Sequence, residues 1–106
     1  TLFLNLAFNY GFKHEVKEVL SKVKKNTLID ISNDKKINEL FFLGSIPDPD
    51  FLIRTGNTKR LSNFLLWQLA YSELYFLDKL WPDFTVTDYN KIIKHFKRVK
   101  RNFGNI

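Results

Sequence analysis

A chain of 106 residues in which 44% are hydrophobic, with 11 Phe, has the apolar content for one folded domain, and 26% charged residues excludes a disordered polyelectrolyte. The absence of Cys excludes a disulfide framework and thiolate chemistry, and no apolar run approaches the roughly 18 to 20 residues of a membrane-spanning helix. Lys and Arg outnumber Asp and Glu by 17 to 11, a net +6 that favours phosphorylated ligands, nucleic acid or anionic lipid without choosing among them.

The first run, Leu2-Phe-Leu-Asn-Leu-Ala-Phe8, is nearly continuous apolar sequence. It predicts a strand over Thr1 to Phe8 buried on both faces, ended by a turn at Asn9-Tyr10-Gly11. The chain has no Met and begins inside this strand, which leads to the expectation of a C-terminal piece of a longer protein. A helix follows over about 13–25, with Val16, Val19, Leu20 and Val23 at i, i+3, i+4 and i+7 and a stop near Asn26. Lys17, Glu18, Ser21, Lys22 and Lys24 fall on its solvated face. Residues 27–50 read as a connector in which Ser32 or Asn33 caps a short helix carrying Ile37, Leu40 and Phe41. Pro47-Asp-Pro49 then forces an extended approach to the next element.

Phe51 to Arg54 predicts a second buried strand, followed by a polar loop and a helix over about 63–70 opened by Ser62. That helix is apolar nearly all round, so it needs cover on more than one side. Glu73 to Leu77 predicts a third strand and Trp81-Pro-Asp-Phe84 a turn. A last helix starts near Thr85, whose spacing to Asp88 matches a capping box with Asp in place of Glu. Tyr89, Ile92, Ile93, Phe96 and Val99 form its apolar stripe, and Gly104 is its expected stop. The fold class is α/β: part of a mostly parallel sheet, about three strands here, with flanking helices. Apolar surface exposed in such a piece favours self-association.

The candidate chemistry centres on Arg54 to Ser62. A strand, a loop with cations and a helix N-terminus in that order make an anion cradle, flanked by Arg54 and Arg60, with Ser62 able to cap the helix and donate to a phosphate oxygen. The competing reading pairs Arg54 with Asp48 or Asp50, and the stretch lacks the spacing of a nucleotide P-loop. Glu73 could hold magnesium against a diphosphate or simply pair with Lys79. His14 and His95 have no metal-like spacing, and no catalytic Ser-His-Asp pattern occurs. Lys91, Lys94, Lys97, Arg98, Lys100 and Arg101 give the last helix a basic outer face. It reads as a solvated face supplying a positive field, with a nucleic-acid-binding module as the alternative.

The blocks Ile53-Arg54-Thr-Gly56, Arg60-Leu-Ser62-Asn-Phe-Leu-Leu-Trp67-Gln68, Tyr71-x-Glu73-Leu-Tyr-Phe76 and Trp81-Pro-Asp-Phe84 resemble the cis-prenyltransferases, most closely bacterial undecaprenyl diphosphate synthase. Asn9-Tyr10-Gly11 fits as well, so the resemblance covers essentially the whole chain. It implies that residues 1–106 are the C-terminal portion of a single domain whose N-terminal half is not in this sequence. It implies a homodimeric, magnesium-dependent enzyme that condenses isopentenyl diphosphate onto farnesyl diphosphate with cis geometry. The product would be a long-chain, undecaprenyl-type lipid carrier used in cell-wall biogenesis, and the enzyme would be cytoplasmic or peripheral at the membrane, with no nucleic-acid partner. By the same resemblance, Arg54, Arg60 and Ser62 hold the diphosphate of isopentenyl diphosphate and Glu73 assists magnesium. The essential aspartate lies upstream, so this chain carries no catalytic residue and is expected to be inactive alone.

The chain departs from the family pattern in places. Asn57-Thr58 stand where the family has Gly-Glu, Gly11-Phe12-Lys13 where it has Gly-Gly-Arg, and Asn102 where an Arg-x-Gly motif has its arginine, with Arg101 one residue away. These departures leave room for an alternative, a non-catalytic partner subunit of a prenyltransferase complex.

Overall fold

The computed structural model describes residues 1–105 and is mixed α/β, with helices α1 (Phe12–Lys25), α2 (Asp34–Asn38) and α3 (Val86–Phe96), strands β1 (Phe51–Arg54) and β2 (Glu73–Phe76), and a 3-10 turn at Trp81–Asp83. The chain divides into two compact units. One comprises Thr1–Pro47 with Ser62–Leu66, the other Asp48–Leu61 and the chain from Trp67 onward. Among the described residues no helix is long and apolar enough to cross a membrane.

In the first unit, α1 forms where the apolar spacing places it, with Val19 buried and Val16 and Val23 half-buried. Leu20, expected on that stripe, is 62% exposed, because it sits at the stripe's edge beside solvated Lys24. The helix start has no side-chain cap of its own. Asn63 supplies one from a distance: its carbonyl accepts the Phe12 N–H and its Oδ1 the Lys13 N–H, both at 2.8 Å. Two orphan donors of the first turn are thereby satisfied. Gly11 permits this approach, since a Cβ there would stand 2.9 Å from Asn63 Nδ2. Of the two candidate caps for α2, Asn33 is the one used, accepting from the Lys36 N–H at 3.1 Å. Ser32 instead bonds Asp30 at 2.6 Å and, with its backbone N–H, holds that carboxyl below the usual range. Phe41 is buried and stacks on Phe12.

The strand expected over Thr1 to Phe8 does not form. Leu2, Phe3, Leu4, Leu6 and Phe8 are irregular chain and 67% to 91% exposed. A strand exists only through a neighbour that accepts and donates across the ladder, and no described strand pairs with this segment. Among the described residues the sheet therefore has two strands rather than three.

The helix expected over residues 63–70 is also absent, replaced by bends and turns. Ser62, Asn63 and Leu65 have φ of 49°, 65° and 47°, values that a right-handed helix cannot contain. Asn63 is committed to α1 through both its carbonyl and its side chain, which takes the local backbone out of the helical path. Farther on, Ser72 N–H reaches back only three residues, to the Leu69 carbonyl.

In the second unit, β1 and β2 pair in parallel with Phe51 opposite Glu73 and Arg54 opposite Phe76. The rings of Phe51, Tyr75 and Phe96 meet beside this sheet, Phe51 lying 6.0 Å from Tyr75 and 5.1 Å from Phe96. Leu69 and Ile92 are buried in this unit. The capping box of α3 forms as its sequence predicts: Thr85 Oγ1 accepts the Asp88 N–H at 3.2 Å and Asp88 Oδ2 accepts the Thr85 N–H at 2.9 Å. On its stripe Ile92 is buried, while Tyr89 is 44% exposed. The helix ends at Phe96, well short of Gly104, because Arg98 and Val99 donate to the carbonyls three residues back and the chain then turns to bring Arg101 onto Asp50.

Candidate functional site

Arg54 is the last residue of β1 and half-buried, and its Nη1 donates to the Arg60 carbonyl. The guanidinium thus braces the loop that carries the second arginine, and both cations belong to one unit. The Arg60 side chain is exposed and has no partner among the described residues. Gly56, with φ of 97°, and Asn57, with φ of 55°, turn the loop through the left-handed region. Their amides are not turned to an anion. Gly56 N–H donates to the Lys79 carbonyl at 2.8 Å and Asn57 N–H to the Leu77 carbonyl at 3.0 Å, extending the β1–β2 ladder.

The anion cradle expected from a helix N-terminus is therefore corrected. No helix opens at Ser62, so neither its unpaired amides nor its dipole is present there. Ser62 is exposed and lies in the other unit. What the loop offers is two cations close in one unit, Arg54 held against the Arg60 carbonyl and the Arg60 side chain exposed.

Asp50, one proposed partner for Arg54, pairs with Arg101 at 2.7 Å. Lys79, the proposed partner for Glu73, is held by both Asp88 oxygens at 2.9 Å. That contact, with the hydrogen bonds from Thr85, lowers the Asp88 carboxyl to about 2. Glu73 is half-buried and its carboxylate has no side-chain hydrogen bond or ion pair among the described residues. Burial, and then the Glu73 charge, raise the Tyr75 hydroxyl above its ordinary value. Tyr75 Oη lies 2.8 Å from His95 Nδ1.

The register separates Glu73 from Arg54. Glu73 opens β2 opposite Phe51, while Arg54 closes β1 three positions along, about 10 Å at the rise of a strand. Alternation puts Glu73 on the face of Phe51 and Tyr75, and Arg54 on the other. Within one chain, then, Arg54 and Arg60 come together and Glu73 does not join them. Among the described residues no group of three or more His, Cys, Asp or Glu could hold a metal ion. Glu73 fits magnesium only as a single ligand beside substrate oxygens.

One group emerges that sequence reasoning did not single out, and Arg101, noted there for its place beside Asn102, takes up contacts that the sequence did not specify. Glu15 is 1% exposed and accepts a hydrogen bond from Tyr10 Oη at 3.3 Å. Its spacing four residues before Val19 places it on the apolar stripe of α1, the signal that could have marked it. Arg101 lies 4.5 Å over the Phe103 ring and 5.3 Å from that of Phe96, and its Nη2 donates to the Tyr71 carbonyl at 3.2 Å. These contacts all lie within its own unit.

Residues 1–104 match the family model of undecaprenyl diphosphate synthase prenyltransferases. The chain is 44% identical over 110 residues to an isoprenyl transferase of Thermotoga maritima, covering 97% of this chain and 46% of that protein. It is 41% identical to a tritrans,polycis-undecaprenyl-diphosphate synthase (geranylgeranyl-diphosphate specific) of Thermoplasma acidophilum, covering 95% of this chain and 41% of that protein. The crystal structure of a probable undecaprenyl diphosphate synthase from Campylobacter jejuni superposes with a TM-score of 0.83 at 39% identity, covering 95% of this chain and 47% of that one. The chain spans about half the length of the curated relatives it matches.

Proposed function

This chain belongs to the undecaprenyl diphosphate synthase family of prenyltransferases, and from that premise we propose that the intact protein condenses isopentenyl diphosphate onto farnesyl diphosphate with cis geometry. Repeated condensation gives a long-chain polyprenyl diphosphate, a membrane lipid carrier. Arg54, Arg60 and Ser62 hold the diphosphate of isopentenyl diphosphate, and Glu73 contributes one carboxylate to magnesium. Magnesium, when bound, neutralises diphosphate charge. The working form is a homodimer, and residues 1–106 alone do not turn over substrate.

The observation that carries the reading is the bracing of the Arg60 loop by Arg54 at the C-terminal end of β1. It holds the backbone of the loop that carries the second cation, close to the first, and preorganised charge is what orients a diphosphate for attack on an allylic carbon. Calorimetric titration of isopentenyl diphosphate into the full-length protein tests it. Arg54→Ala and Arg60→Ala are each expected to weaken binding by at least about tenfold, as loss of a charge-assisted hydrogen bond does. Undiminished affinity in both variants would sink the assignment.

One observation favours a second reading, a non-catalytic partner subunit. At Thr58, where the resemblance implies a carboxylate, a hydroxyl donates to the Gly56 carbonyl at 3.3 Å and braces the loop instead. The coding sequence upstream of Thr1 discriminates: an aspartate in the family's upstream motif means an enzyme.

A further inference from the structure

We propose that the outer face of α3 and the turn after it form a docking surface for an anionic lipid bilayer. The proposal rests on how charge is distributed along the chain and not on the diphosphate assignments. Residues 1–90 carry 11 Lys and Arg against 11 Asp and Glu, a balance of zero. Residues 91–106 carry the other six cations, Lys91, Lys94, Lys97, Arg98, Lys100 and Arg101, and no acid. The whole net charge of +6 therefore sits on this one stretch.

The fold turns most of that charge outward. Ile92 is buried and Ile93 and Phe96 are half-buried, which fixes the inner face of α3. At about 100° per residue, Lys91, Lys94 and Lys97 fall away from that face in one row, and all three are exposed. Arg98 and Lys100 are exposed just beyond the helix. Of the six cations only Arg101 has an ion pair among the described residues, with Asp50. Like charges at helical spacing of three or four destabilise a helix, and here no acid of the same face offsets them. A negatively charged surface laid against the row removes that repulsion.

Charge complementarity selects an anionic partner, and the kind of cation selects a bilayer. Four of the five exposed cations are lysines, point charges on flexible stems. They suit a diffuse field of headgroups better than the bidentate grip on a single phosphate that arginine supplies. Between Lys91 and Lys100 no ring is free for a base to stack on: His95 lies 2.8 Å from the Tyr75 hydroxyl and Phe96 faces inward. Val86, 75% exposed, stands at the head of the same face, an apolar group that the boundary between headgroups and acyl chains accepts. On the function proposed above, a synthase held at a bilayer releases its long apolar product where that product dissolves.

The test uses the full-length protein and vesicles of stated composition. Co-sedimentation should show partition onto equimolar phosphatidylcholine and phosphatidylglycerol about 100-fold or more stronger than onto phosphatidylcholine alone, since each cation near an anionic surface is worth about fivefold. Lys91→Gln, Lys94→Gln and Lys97→Gln combined should lower that partition about 100-fold. Lys17→Gln, Lys24→Gln and Lys25→Gln combined remove the same charge from exposed positions of α1 and should lower it by no more than about threefold, because charges beyond a Debye length of the surface are screened. Equal losses in the two triple variants would show that net charge alone is at work and overturn the proposal. So would equal partition of the unaltered protein onto both kinds of vesicle. Mixed-sequence RNA bound more tightly than the anionic vesicles, and lost in the α3 variant, would assign the face to nucleic acid instead. An unchanged urea midpoint checks the fold of each variant. Calorimetry should show unchanged isopentenyl diphosphate affinity in the α3 variant, so loss of docking and failure of the diphosphate assignment are read separately.

Discussion

Tyr10 shares the interior of its unit with the buried carboxylate of Glu15, and the pair sets a property that can be read in solution. Burial, then the Glu15 charge and the hydrogen bond to it, push the Tyr10 hydroxyl up to about 12. A raised folded-state value means that the neutral phenol is the stabilised form. Its contribution is complete below the ordinary tyrosine value of about 10 and is lost as pH rises through about 12. Ultraviolet titration should show one tyrosine ionising near pH 12, and Tyr10→Phe should delete that step. Glu15→Gln should lower the step only in part, since burial is the larger cause. Asp88 has the opposite sign. Its carboxyl is held at about 2 by Lys79 and by the Thr85 donors, so its contribution is present above about pH 4 and is lost as pH falls toward 2. Carboxyl chemical shifts followed against pH should place Asp88 well below ordinary aspartate, and Lys79→Ala should return it part of the way. An unmoved titration in that variant would mean that the Thr85 donors alone set the shift.

At the scale of elements, α3 shows what its first turn depends on. Thr85 and Asp88 satisfy each other's backbone donors, and removing the hydroxyl with Thr85→Ala should cost about 1 kcal/mol of stability, within the usual spread for such caps. Urea denaturation measures this as a lower midpoint at unchanged slope. That cap was legible in the sequence because its two residues lie three apart and the signal is wholly local, as were the apolar spacing of α1 and, as one of two candidates, the Asn33 cap of α2. The apolar run at residues 63–70 was equally suggestive and misled, because the decisive partner is remote. Asn63 is recruited by the start of α1, fifty residues earlier in the chain, and no periodicity within the run encodes that. Leu2 to Phe8 failed for a related reason. A strand's pattern states what its faces would bury, whereas its existence depends on a neighbour. At the site, Arg54 and Arg60 could be picked out as cations flanking a strand end, but the capture of the Gly56 and Asn57 amides by the carbonyls of Lys79 and Leu77 depends on sheet register, which emerges only when the strands pair.

For the whole molecule, the parallel register decides how a dimer would have to work. Arg54 and Glu73 stand at opposite ends and on opposite faces of a two-stranded sheet, and neither a rotamer change nor a loop motion carries a side chain through its own sheet. If Glu73 serves the magnesium of a diphosphate held at Arg54, it serves one held by the other subunit of the proposed homodimer. Two-fold symmetry then makes both sites composite. The consequence is measurable with full-length variants that are each inactive alone, Arg54→Ala and Glu73→Gln. A mixed dimer pairs an unaltered Arg54 from one subunit with an unaltered Glu73 from the other, so one of its two sites is whole. Half of the dimers in a fully exchanged equimolar mixture are mixed, and condensation activity should recover to about a quarter of the unaltered enzyme. If both residues acted on the same diphosphate from within one chain, every site in the mixture would carry a lesion and no activity would return.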